Sequence, residues 1–351
     1  MPDPSPRYAF DRIPEPGEVF PVAPGVGWVR MPLKLTGLSH INLWLLDDGD
    51  GWTIVDTGIN THQIRELWDQ VFDTALAGRP VTRVICTHFH PDHMGLAGWI
   101  SERWNCRLWA TRTEWLFGRM LYLDSQPKTP DFFVDHYRKV GFGAEALEII
   151  ASRSYENYAK SVWPIPEQYR RIVNGETIRI GGRDWRVVCG YGHAPEHACL
   201  YCPETGVMIS GDQILPKITP HIGVYPAEPD ANPLQEYIDS LDIFRPLPKD
   251  LLVLPAHNEP FRGLHDRLDY LAKHHDERLN ALVTLLDEPK RVMSTLKVLF
   301  GRIMKPHETF LAVGEAIAHL NCLIEQGRVV RDLDAEGIWS YRRAGKAADA
   351  A

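Results

Sequence analysis

Thr87-His88-Phe89-His90-Pro91-Asp92-His93-Met94-Gly95 places three imidazoles and a carboxylate within six consecutive positions, directly after the apolar run Val84-Ile85-Cys86. A buried strand ending this way gathers several metal-binding side chains at one strand tip. His88 and His90 occupy alternate positions, so an extended chain projects them to the same side. Pro91 forces a turn and suits the first position of a helix, from which Asp92 and His93 reach back toward the same point. Histidines can also cap helices or sit in a core as satisfied polar groups. Three of them beside an aspartate favour a metal site instead. Imidazole and carboxylate donors without thiolate suit Zn²⁺, with Fe and Mn as competitors.

Three further segments downstream end apolar runs in a candidate ligand. They are Val187-Val188-Cys189-Gly190-Tyr191-Gly192-His193, Val207-Met208-Ile209-Ser210-Gly211-Asp212, and Leu251-Leu252-Val253-Leu254-Pro255-Ala256-His257. With His-x-His-x-Asp-His they form an ordered set that resembles the metallo-β-lactamase fold superfamily across residues 20–262. The resemblance implies an α/β fold, an αββα sandwich. It also implies two metal sites: His88, His90 and His193 for one ion, Asp92, His93 and His257 for the other, and Asp212 bridging. Two nearby dications need anionic charge between them, which an aspartate and a bridging hydroxide would supply. Asp56, in Ile54-Val55-Asp56-Thr57-Gly58, matches the family's Asp-Thr-Gly turn and is expected to orient a ligand histidine. Its alternative is an ordinary turn aspartate before glycine.

The composition is that of an ordinary soluble globular protein. Of 351 residues, 44% are hydrophobic and 24% charged, and no run has the length of a membrane span. Met1-Pro2-Asp3-Pro4-Ser5-Pro6-Arg7 has no apolar leader, so a cytoplasmic location is expected. The six cysteines lie mostly inside apolar runs and read as reduced, packed thiols, including the isolated Cys199-Leu200-Tyr201-Cys202 pair. A net charge of −8 argues against a surface devoted to nucleic acid.

Residues 1–264 are expected to form the catalytic domain, with a helical flap inserted at about 113–166. Helices are expected over Thr61–Ala77 and Asp92–Trp104, and over Glu114–Leu123, Asp131–Val140 and Glu145–Ser154 within the insert. The insert's aromatics, among them Trp115, Phe117, Phe133, Tyr137 and Tyr158, would make a substrate pocket, a dimer interface or ordinary packing. His221 and Tyr225 follow Asp212 in an irregular loop and are candidate substrate contacts, or loop filler. Residues 265–345 read as three helices and a hairpin, which resembles the winged-helix extension of some superfamily members, and 346–351 as a disordered tail. Without a basic stripe this module is expected to pack, dimerise or close a pocket rather than bind nucleic acid.

The metal set implies a hydrolase acting on a small-molecule substrate. The leading expectation is a glyoxalase II-like ester or thioester hydrolase using a metal-bridging hydroxide, with Asp92 fixing the nucleophile and carrying a proton. A lactonase and a phosphodiester-cleaving endoribonuclease are the alternatives. A β-lactamase is disfavoured, because Asp212 stands where the best-known zinc β-lactamases carry a cysteine. A redox member of the superfamily is disfavoured because the full ligand set is retained.

Overall fold

The computed structural model describes residues 6–35, 37–302 and 308–345. The tail expected at 346–351 lies outside the described residues. The chain divides into two compact units. One comprises Met1–Ser125, Glu156–Pro220 and Asp242–Leu268; the other comprises Gln126–Tyr155, His221–Leu241 and Asp269–Ala351. Each unit therefore draws on separated stretches of chain, and the helices Pro233–Phe244 and Leu264–Leu285 run from one to the other.

The first unit contains two seven-stranded mixed sheets. In one, Leu38–Asp47 pairs antiparallel with Trp52–Val55, which continues in parallel through Val81–Ile85, Arg107–Ala110 and Tyr169–Arg171. In the other, Arg183–Gly190 and His197–Cys202 are antiparallel, as are His197–Cys202 and Val207–Gly211, and the last runs parallel to Leu252–Pro255. Strands 183–190, 207–211 and 252–255 consequently point the same way, and each runs toward its candidate ligand.

Alternation along the strands decides which side chains meet. Trp28, Trp44, Leu46, Val55 and Ile85 pack with Trp185, Val187, Leu200, Ile209 and Leu254 from the second sheet, forming the interior between the sheets. The opposite face of the first sheet presents Val29, Leu43, Leu45, Ile54 and Val84 to Ile64, Trp68, Val71 and Ile100 of two covering helices. The first of these helices is His62–Thr74, capped by Thr61, whose side chain accepts the Ile64 N–H.

The helix expected over Asp92–Trp104 is broken into Pro91–Met94 and Ala97–Trp104. The backbone groups that would continue it are taken elsewhere. Leu96 N donates to Thr57 Oγ1 at 3.0 Å, and Gly95 O accepts Trp163 N at 2.6 Å. Gly95 is needed here, since a Cβ would lie 2.5 Å from the Gly58 carbonyl oxygen.

The second unit holds Asp131–Val140, Ala144–Ser152, Val292–Phe300, Thr309–Glu325 and a three-stranded sheet of Lys290–Arg291, Val329–Leu333 and Trp339–Arg343. The expected hairpin is present and gains a third strand. Insert aromatics pack within this unit: Tyr137 and Phe142 meet Phe310 with ring centroids 5.1 and 5.5 Å apart, and His136 meets Trp339 at 5.3 Å. Arg112–Leu123 and Asn157–Ser161, at the ends of the expected flap, belong to the first unit. Among the described residues no helix is long and apolar enough to cross a membrane.

Candidate metal centre

The strand Val81–Ile85 delivers Thr87 to His93, and the other ligand candidates follow the strand ends at Gly190, Gly211 and Pro255. All seven converge. Donor atoms of His88, His90, His193 and Asp212 lie within 4.8 Å of one another, as do those of Asp92, His93 and His257.

Asp212 faces both groups. Its Oδ2 is 3.4 Å from His193 Nε2 and 3.5 Å from His93 Nε2, while Oδ1 is 3.3 Å from His257 Nε2. Asp92 Oδ2 is 3.5 Å from His257 Nε2 and 3.8 Å from His93 Nε2. On the other side His88 Nε2 lies 2.8 Å from His90 Nδ1 and 3.2 Å from His193 Nε2.

Anchors behind the rings select which nitrogen points inward. Asp56 Oδ2 is 2.8 Å from His93 Nδ1, and His257 Nδ1 is 2.8 Å from the His40 carbonyl. With both Nδ1 atoms donating, both Nε2 atoms carry a lone pair toward the centre. Asp56 also accepts Thr87 N and Thr87 Oγ1, each at 2.8 Å, and holds a left-handed backbone with φ of 61°. It is thus more than a turn aspartate.

The donor set fits a cation. His93 Nε2, His257 Nε2 and Asp212 Oδ1 are buried without a hydrogen-bond partner. Buried polar atoms are rarely left so, and a metal ion satisfies lone pairs that no N–H reaches. Burial, then the surrounding imidazoles of His93, His90, His197 and His193, hold His88 well below the usual histidine range, which keeps it neutral and able to ligate. Burial raises Asp212, but His257 and His93 outweigh it and hold the carboxyl well below its usual range.

Four contributors lie outside the candidate residues read from the sequence. His197 is buried, stacks on His88 at 4.8 Å, and its Nε2 accepts the Asp212 N–H at 3.1 Å. Glu114 accepts backbone N–H groups from two ligand loops, Asn42 holds the chain around His257, and His40 lends it a carbonyl. His221 and Tyr225 lie in the second unit, where His221 Nδ1 is 3.5 Å from Glu315 and Tyr225 is about half exposed. All six cysteines are free, and none enters a candidate metal group among the described residues.

The family model of the "Metallo-beta-lactamase superfamily" matches residues 36–257. This chain belongs to the metallo-beta-lactamase superfamily, a family of hydrolytic enzymes. Residues 279–344 match a second model, described as "Metallo-beta-lactamase-like, C-terminal domain". A beta-lactamase domain protein from Burkholderia ambifaria is similar throughout, with 43% identity, a TM-score of 0.90, and coverage of 97% of this chain and 98% of that one. A metallo-beta-lactamase family protein from Thermus thermophilus is 29% identical at a TM-score of 0.75, covering 91% and 99%. A "Probable metallo-hydrolase" of Bacillus subtilis strain 168 is 25% identical over 303 residues, 84% of this chain and 91% of the relative.

Proposed function

We propose that this protein is a dinuclear metal-dependent hydrolase, natively loaded with zinc, that cleaves a carbonyl ester or thioester. The placement of Asp212 between the two ligand groups carries this reading, because one carboxylate facing both is what a paired-ion centre requires. His88, His90 and His193 would hold one ion, Asp92, His93 and His257 the other, and Asp212 both. When bound, the ions would supply a nucleophile from water near neutral pH and stabilise the oxygen that gains charge.

The chain's own groups do the rest. Asp56, His40 and His197 fix the ligands so that little reorganisation is left for the reaction. The Asp92 carboxylate takes a proton from the attacking water and passes it to the leaving group. An all-nitrogen-and-oxygen donor set and a net charge of −8 favour a small carbonyl substrate over a polyanion. We read the C-terminal unit as a winged-helix-like packing or dimerising module of a cytoplasmic enzyme.

The test is a panel of acyl-CoA and glutathione thioesters, simple esters, lactones and single-stranded RNA, run on purified protein with metal content measured in parallel. Thioester or ester turnover tracking about two zinc equivalents is expected. Cleavage of RNA alone, or wild-type turnover without metal, would overturn the proposal.

A further inference from the structure

Thr111-Arg112-Thr113-Glu114 opens the helix Arg112–Leu123 with the sequence of a capping box. In that arrangement the threonine caps the helix and the glutamate reaches back to the threonine's own N–H. Neither does so here. Thr111 makes no side-chain cap, and its Oγ1 donates instead to the Glu196 carbonyl at 2.8 Å. Glu196 takes over the helix end, its Oε2 accepting Thr113 N at 3.2 Å and Thr113 Oγ1 at 3.1 Å. Glu114, released from the helix, accepts Phe89 N on Oε2 at 3.0 Å and Glu196 N on Oε1 at 2.6 Å.

Those two N–H groups belong to the two chain segments that carry the three-histidine group. Phe89 sits between His88 and His90, and Glu196 lies three residues beyond His193. One carboxylate therefore ties together, at backbone level, segments far apart in sequence whose side chains must meet. Glu114 is fully buried, and no basic side chain pairs with it among the contacts of the described residues. Burying a carboxylate with only two neutral donors is costly, and a packed apolar residue would serve a merely structural role better. Burial pushes its carboxyl up to about 8 against the pull of its two backbone donors.

We propose that Glu114 is a positioning residue, which sets the mutual geometry of His88, His90 and His193 by bridging their two backbone segments. This rests on the metal-centre reading above. Glu114→Gln keeps the shape and one acceptor but turns an NH₂ toward a backbone N–H. Glu114→Asp keeps the carboxyl group but is too short to reach both donors.

The experiment loads apoprotein with Co²⁺ and reads the visible d–d spectrum, the stoichiometry, and the affinity by competition with a chelator. Wild type, Glu114→Gln and Glu114→Asp are compared, with thermal unfolding followed alongside. Both variants are expected to keep their secondary structure, to weaken one of the two Co²⁺ equivalents by about 10- to 100-fold, and to change the d–d band. Wild-type affinity and spectrum in Glu114→Gln would overturn the inference alone, even if its melting temperature fell. Failure of the wild type itself to bind Co²⁺ would remove the metal-centre reading and this inference together.

Discussion

Asn42 offers the sharpest test of how the centre is supported. The side chain is fully buried on the strand Leu38–Asp47. Its Oδ1 accepts Trp28 Nε1 at 2.8 Å, and its Nδ2 donates to the carbonyls of Pro255 at 2.9 Å and Asn258 at 2.5 Å. The Asn42 N–H also reaches the Ala256 carbonyl at 2.7 Å, so the residue grips the chain on both sides of His257. Replacing it with leucine, close in volume, takes the partner from the buried indole N–H, from the Pro255 carbonyl and from the partly buried Asn258 carbonyl. Each such group costs about 1–3 kcal/mol, and partial relaxation should leave a total loss of about 3–5 kcal/mol. That is large against the roughly 5–15 kcal/mol that holds an ordinary domain. The assay is urea unfolding of the metal-free protein, so that ion release does not enter, with the slope checked for constancy. Asn42→Asp should be at least as damaging at neutral pH, since it sets a carboxylate against two carbonyls. A loss below about 1 kcal/mol for Asn42→Leu would refute the reasoning, because the three bonds would then be dispensable.

Asp212→Ala should abolish turnover and lower bound metal; full activity would remove the bridging assignment. Cys199→Ser should leave metal content intact, because a serine hydroxyl can still donate to the Ser210 carbonyl that Cys199 Sγ now faces at 3.4 Å. Asp56→Asn should weaken metal binding by about tenfold or more by loosening the His93 ring, read by chelator competition. In the second unit, burial holds His275 well below the usual histidine range and His319 below it, with His274, Arg278, Glu315 and Tyr237 around them. A histidine depressed in the folded state binds protons preferentially when unfolded. Stability should therefore be unaffected above about pH 6.5 and fall below it, by up to about 1.4 kcal/mol per pH unit for each residue until its folded value is reached. His275→Phe should flatten that slope in urea unfolding between about pH 6.5 and pH 5; an unchanged slope would discard the assignment.

The convergence of the seven candidate ligands was legible because each lies just beyond an apolar strand, and strand polarity carries those strand ends to one place. His88 and His90 alternate on an extended segment, while His193, Asp212 and His257 each follow a run buried on both faces. The break at Gly95 was not legible, because it depends on Thr57 and Trp163 drawing backbone groups out of the helix. Glu114 and His197 were missed for a related reason. They act on main-chain N–H groups of other segments, and a main-chain donor has no sequence of its own to mark where its acceptor should be. The capping-box pattern at Thr111–Glu114 was visible, but read locally it predicts a contact that the tertiary structure replaces. His221 and Tyr225 were chosen for their nearness in sequence to Asp212, and the second unit begins again at His221.

Charge accounting links these anchors to the proposed ions. The buried acidic side chains among the described residues are Asp56, Asp92, Glu114 and Asp212, and all four touch the ligand segments or are ligands themselves. Arg267 is the buried guanidinium, and it is engaged with the carbonyls of Leu215 and Ile218. No lysine accompanies the acids into the interior among those residues. A cluster of carboxylates in a low-dielectric interior either protonates or finds cations. Imidazoles can take up part of the charge, as the raised His93 and His257 indicate: burial lowers both, and the neighbouring carboxylates more than reverse it. A protonated His93 or His257 would present an N–H toward Asp212, whose oxygens lie 3.5 and 3.3 Å from the two Nε2 atoms, where a ligand needs a lone pair. Divalent cations would offset this negative charge without protonating any imidazole, and would use the lone pairs that the anchors turn inward. Bound cations would therefore meet the negative charge and the inward lone pairs together, the condition that the proposed metal centre requires.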